Sequence, residues 1–177
     1  MKKLIIISMF LLAFYSGFSQ TDSANNELKM NLSNLIGFKW LDASYEKILN
    51  EESSIGFGIL KSLDNSNDGL DEFRNFSLTP YYRHFFSDRY AQGFFVEAFT
   101  MIHSGKNDYY YNDFDYSTGY GEDKYTDLAV GVSVGAKWVS RRGFVTEIYG
   151  GIGRDMLGNS DIEVVTRGGI SVGYRFQ

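Results

Sequence analysis

The sequence has no cysteine, one proline (Pro80) and two histidines, His84 and His103. Without thiols there is no disulfide scaffold, no thiolate zinc site, no cysteine nucleophile and no lipoprotein anchor. Two histidines argue against a multi-histidine metal centre. So little proline, beside 17% aromatic residues, is not the composition of a disordered chain or a proline-rich linker. Basic charge is in deficit: 17 Lys and Arg stand against 22 Asp and Glu, a net charge of -5, so nothing electrostatic favours a nucleic-acid partner. Beyond residue 19 no window holds 18 consecutive apolar residues, which excludes a helical membrane span there.

What is present begins with an address. Lys2 and Lys3 precede a mainly apolar stretch from Leu4 to Phe18, and Gly17 and Ser19 supply small residues at a cleavage site before Gln20. The stretch is shorter than the roughly 20 residues that cross a bilayer as a helix, and it reads as an export signal over residues 1–19. Residues 20–27 are polar and read as a mobile lead-in. Residues 28–177 read as one domain with no linker and no internal repeat.

The domain alternates with a period of two. Leu128, Val130, Val132, Val134, Ala136 and Trp138 are interleaved with Ala129, Gly131, Ser133, Gly135 and Lys137, and the last segment interleaves Ile170, Val172, Tyr174 and Phe176 with Gly169, Ser171, Gly173 and Arg175. Such strands carry one oily face and one small or polar face. A water-soluble sandwich would present longer polar side chains outward. A closed membrane barrel needs apolar side chains in lipid and small or ion-paired ones in a narrow lumen, and closure satisfies every backbone amide without water. On this pattern Asp42, Glu46, Glu97 and Glu147 point inward together with Lys29, Arg83, Lys137, Arg167 and Arg175. Charges so nearly balanced predict a plug, not an open pore.

Connection lengths are a separate indicator. Strands are predicted near 39–49, 53–62, 73–86, 90–102, 125–139, 143–154 and 163–176, and the gaps between them alternate short and long. Outer-membrane barrels have short periplasmic turns and longer external loops. That rule makes the strand from Lys39 descend from outside, so an ascending partner must precede it. Leu28, Met30 and Leu32, alternating with Lys29, Asn31 and Ser33, supply one before a tight turn near Gly37. The expectation is an all-β, eight-stranded, antiparallel up-and-down transmembrane β-barrel with a filled, charge-paired interior. It would be integral to the outer membrane of a Gram-negative bacterium, with both termini periplasmic.

Several stretches carry a resemblance: Leu28–Leu32, Ala43–Lys47 followed by Ser54–Gly58, Leu78–Arg83, and Gly93–Glu97. They resemble a domain-of-unknown-function family of small outer-membrane β-barrel proteins, across essentially the whole exported chain. The resemblance implies a barrel similar to the transmembrane domain of outer membrane protein A, and it implies no activity. The closing Gly173–Phe176 resembles the signal read by the barrel-insertion machinery, with Gln177 following where an aromatic residue usually ends the chain. The partners expected are outer-membrane lipid and lipopolysaccharide, plus that machinery during biogenesis, for a monomer without a cofactor.

Few residues invite chemistry. Small barrels include enzymes with a nucleophile and base at the outer rim, which makes His103 beside Ser104 a candidate, with Glu97 or Asp108 to orient the ring. Neighbours in a strand point to opposite faces, so His103 and Ser104 do not cooperate directly. His84, beside Phe85 and Phe86, reads as part of an interfacial aromatic girdle. Pro80 lacks a ladder donor and predicts a bulge or weakened pairing. Asp64, Ser66, Asp68 and Gly69 match the start of a calcium loop, but Asn75 stands where a bidentate Glu belongs. The segment 103–124 holds Tyr109, Tyr110, Tyr111, Phe114, Tyr116 and Tyr120 among acidic residues and glycines. Tyrosine gives large contact area at low rotamer cost, which suits a contact surface; the alternative is strand extension with tyrosines paired across a hairpin. The functional expectation is a non-catalytic envelope or surface-contact protein. A rim enzyme acting on lipid A or phospholipid and a narrow solute channel are the alternatives.

Overall fold

A computed structural model describes residues 24–63, 74–112, 118–158 and 163–177, with the backbone alone over 106–112 and 118–123. The expected signal segment and the calcium-loop residues Asp64, Ser66 and Asp68 lie outside the described residues.

Eight strands form one closed antiparallel barrel, each hydrogen-bonded to its neighbours in sequence. They are β1 (Asn26–Asn31), β2 (Trp40–Ile48), β3 (Ser53–Ser62), β4 (Phe76–Phe85), β5 (Gly93–Asn112), β6 (Thr118–Val139), β7 (Phe144–Asp155) and β8 (Val164–Phe176). The first and last strands close the ring, with Asn26 opposite Phe176 and Asn31 opposite Ser171. The expected eight-stranded, antiparallel up-and-down closure is therefore the observed fold, and the alternation has the facing the pattern requires. Val130, Val132, Val134 and Trp138 lie on the outer wall, whereas Ala129, Ser133 and Lys137 are buried inside.

The two ends differ. At the turn end Ser140 and Gly143 close a tight β6–β7 turn, where a φ of 84° suits glycine. Phe86 packs at a tilt on Phe94, Phe144 meets Tyr174 edge-on, and the His84 ring meets Phe86 edge-on at 4.8 Å, so His84 does sit among aromatics. Both described termini reach this end.

At the other, loop end the structure corrects the first connection. In place of a tight turn near Gly37 stands a short helix, α1 (Leu32–Phe38). Asn31 caps it by accepting from the Asn34 amide, and Lys39 ends it in the left-handed conformation. A short polar side chain at the N-terminus and a left-handed backbone at Lys39 let seven residues wind where a hairpin is expected. Ser33 accepts a hydrogen bond from the Ile170 amide at 2.9 Å, which ties α1 to β8.

Two further expectations change. The polar lead-in does not reach residue 27, because Asn26 and Glu27 belong to β1 and pair with both β2 and β8. The segment 103–124 is not a loop over most of its length: β5 and β6 stay paired residue by residue to Asn112 opposite Thr118, with Tyr110 opposite Tyr120. Beyond Ser104, the last β5 residue paired to β4, this ribbon runs on for about 25 Å. Phe114 and Tyr116 lie outside the described residues. Pro80 breaks the β4–β5 ladder between Leu78 and Tyr81, and pairing resumes in the same register, so the proline weakens the pairing without making a bulge.

Candidate functional site

The lumen is filled by charge. β1 contributes Glu27 and Lys29, β2 Glu46, β4 Arg83, β5 Glu97, β6 Lys137, β7 Glu147 and β8 Arg167 and Arg175, each on the inward phase of its strand. Most are 0–2% exposed. Glu46 is the hub: it accepts from Lys29, from Lys137, from Arg83 Nη1 at 2.9 Å and from Ser54 at 2.6 Å. Arg83 extends the network, with Nε 2.6 Å from Glu97 and Nη1 2.7 Å from Glu147. Arg167 pairs with the other oxygen of Glu97. Lys29 also reaches Glu147 at 2.9 Å.

Register explains part of this connectivity. Arg83 is directly opposite its partner Glu97 and Arg175 opposite its partner Glu27, whereas Lys137, opposite Glu147, pairs instead with Glu27 and Glu46. Glu27 is also directly opposite Glu46, a like-charge pair that is unfavourable alone. Lys137 offsets it by bonding both carboxylates. Aromatic rings complete the packing: the Arg83 guanidinium lies 4.2 Å from the Phe95 ring centre and 4.7 Å from that of Tyr81. Glycines make room for these rings, as at Gly131, where a side chain would collide with Phe99 and with the Ile152 carbonyl.

Two sequence expectations about this interior are corrected. Asp42 is only half-buried near the loop end, and among the described residues its carboxylate accepts from amides, Asn34 at 2.7 Å and Asn31 at 3.1 Å, instead of from a cation. Its position beside α1 lifts it out of the network. Glu27 stands in the network where Asp42 is expected, fully buried, 2.8 Å from Lys137 Nζ and 2.8 Å from Arg175 Nε. The signal for it is present in the chain: the inward phase Lys29, Asn31 extends back one step to Glu27.

Above the ion network, at the loop end, lies a cavity of about 320 Å³. Trp40, Asp42, Arg74, His103, Tyr125 and Arg167 line it, with Asn34 of α1 at its edge. Arg74, just before β4, donates from Nη2 to the Thr166 carbonyl at 2.9 Å. Burial, reinforced by the nearby Arg167 charge, pulls the Arg74 pKa below its usual value. His103 is 1% exposed; its Nε2 is 2.8 Å from Asp155 Oδ1, and its ring meets Tyr125 edge-on at 5.8 Å. The orienting carboxylate is thus Asp155, at the end of β7, and not Glu97, which serves the ion network. Neither Asp155 nor Arg74 carries a motif in the sequence; closure of the barrel brings them to His103. Ser77 is the residue opposite His103 across the ladder, but His103 Nδ1 has no hydrogen-bond partner among the described residues, so no serine there engages the ring.

The geometry defines a small closed barrel with a filled lumen and a walled cavity at its loop end. No family model and no curated protein matches the chain. Among solved structures, the N-terminal β-barrel domain of Pseudomonas aeruginosa OprF matches with a TM-score of 0.54 and 12% identity, over 86% of this chain and 98% of that one. Likeness at this identity establishes the shared barrel fold.

Proposed function

We propose that the chain is an integral outer-membrane barrel of a Gram-negative envelope, non-catalytic, with a structural or surface-contact role. The observation that carries this reading is the inverted polarity of its wall. Ile55, Phe57, Val132, Val134, Ile148 and Ile170 are 44–56% exposed on the outside, while the charged side chains of the lumen are nearly all buried. Water would favour the opposite arrangement; hydrocarbon favours this one and requires a ladder without open edges. The turn end, with both termini, would face the periplasm. The segment 103–124 would stand outside the cell, with Tyr109, Tyr110, Tyr111, Phe114, Tyr116 and Tyr120 as its contact residues.

The test is behaviour in detergent. Folded and boiled samples should migrate differently on gels, and detergent removal should precipitate the folded protein. A chain that stays folded and dissolved in plain buffer refutes the reading. The ion network also argues against a solute channel, so conductance in planar bilayers should stay at baseline.

One observation favours the rim-enzyme alternative, the buried Asp155–His103 pair. It calls for a nucleophile at Nδ1, and none is bonded there among the described residues. Lipid A deacylation or palmitoylation by membranes carrying the protein, lost in His103→Ala, would decide for it.

A further inference from the structure

Trp40, Arg74 and His103 stand around the loop-end cavity, and each keeps one nitrogen buried without a hydrogen-bond partner among the described residues: Trp40 Nε1, Arg74 Nε and His103 Nδ1. Arg74 is 8% exposed and His103 1%. Folded proteins rarely leave such groups unmet, and three around one cavity mark a place where something else supplies the bonds.

We propose that this cavity binds a neutral, polyhydroxylated ligand, one hexose-type sugar ring. The hydrogen-bonding demand is mixed. Trp40 Nε1 and Arg74 Nε can only donate. In the tautomer that donates Nε2–H to the Asp155 carboxylate, His103 Nδ1 is an acceptor. Hydroxyl groups donate and accept, so a ring bearing several can meet all three. An ionised carboxylate offers acceptors alone and would set an oxygen against that Nδ1 lone pair.

Charge points the same way. Arg167 is paired with Glu97, and Arg74 has the Asp42 and Asp155 carboxylates within electrostatic reach, so both arginines on the described wall already face acidic groups. Part of the remaining surface is aromatic, beside aliphatic and hydroxyl side chains such as Leu60, Met101 and Thr79. Phe38 and Trp40 stack with centroids 5.1 Å apart, and Tyr125 is on the wall as well. Flat aromatic faces suit the C–H faces of a sugar ring, and a volume of about 320 Å³ lies at the lower end of the small-ligand range.

Trp40 can report occupancy, because the second tryptophan, Trp138, lies on the outer wall at 55% exposure and can be replaced. Trp138→Phe protein, folded in an amine-oxide detergent whose headgroup carries no sugar, is titrated with glucose, galactose, mannose and N-acetylglucosamine, then with acetate and inorganic phosphate. The expected result is a saturable change in Trp40 fluorescence with at least one sugar, at a Kd of about 1 mM or tighter, and none with either anion. Arg74→Met and His103→Phe, verified as folded by their heat-shifted mobility, should each weaken binding about tenfold. If either fails to fold, Trp40→Phe, read by calorimetry, carries the same expectation. No saturation with any sugar to about 50 mM, which would leave water as the partner of these nitrogens, overturns the proposal. Saturation by an anion instead, or undiminished binding in the folded variants, overturns it equally.

Discussion

Lys137 Nζ lies 2.8 Å from Glu27 Oε2, joining β6 to β1 across the lumen with both side chains fully out of solvent. Glu27 also meets Arg175 at 2.8 Å, while Lys137 also bonds Glu46. The pair therefore couples the strand that opens the barrel to the charge hub at its centre. Buried pairs of this kind are weak evidence for net stabilisation, because desolvation opposes attraction, but removing one partner strands the other.

Glu27→Gln keeps the shape of the side chain and leaves Lys137 and Arg175 short of a counter-charge. We expect a loss of about 3–5 kcal/mol, read as a lowered urea midpoint in liposomes. Glu27→Gln with Lys137→Gln should lose less than the two single losses combined. Strict additivity would show that the pair is not coupled.

On the outer wall Val132→Lys separates lipid from water as the surrounding medium. If hydrocarbon covers the belt, the lysine should cost about 2–4 kcal/mol in liposome refolding. An exposed site in water would change by no more than about 0.5 kcal/mol.

Gly131 faces the Phe99 ring and the Ile152 carbonyl with no room for a side chain. Gly131→Val should lower stability by about 1–3 kcal/mol, or prevent closure. A Cβ at Gly150 would meet nothing within 4 Å, so Gly150→Ala in the same titration should be neutral or slightly stabilising.

Pro80 interrupts the β4–β5 ladder without shifting its register. Restoring a donor with Pro80→Val should add about 0.5–1.5 kcal/mol and slow amide exchange at the neighbouring ladder positions. An unchanged urea midpoint would mean that the interruption has another cause.

Much of the fold is legible in the chain because a barrel strand repeats its instruction every second residue. Val130, Val132 and Val134 state an outer face several times over, so one ambiguous position does little harm. The β1–β2 connection is not legible in the same way. Asn31, Asn34 and Lys39 form caps only when the chain between them coils, and nothing periodic announces seven such residues. The β5–β6 ribbon hides in the sequence because its acidic residues and glycines look like loop composition, whereas cross-strand pairing keeps it extended.

The candidate site divides along the same line. Local alternation assigns Glu46, Arg83, Glu97, Lys137 and Glu147 to the inside, since the facing of a side chain depends only on its phase along its own strand. It does not say which carboxylate meets which cation, nor that Glu27 joins them while Asp42 is held by two amides. Those choices depend on how far each strand is staggered against the next around the closed ring. The same closure brings Asp155 to His103, and sets Arg74 and Trp40 around the cavity. The sequence by itself determined the number of strands, their facing and most of the charge they enclose; the tertiary structure decided the length of the β5–β6 ribbon, the partners and the cavity, because pairing, stagger and closure belong to the whole ring.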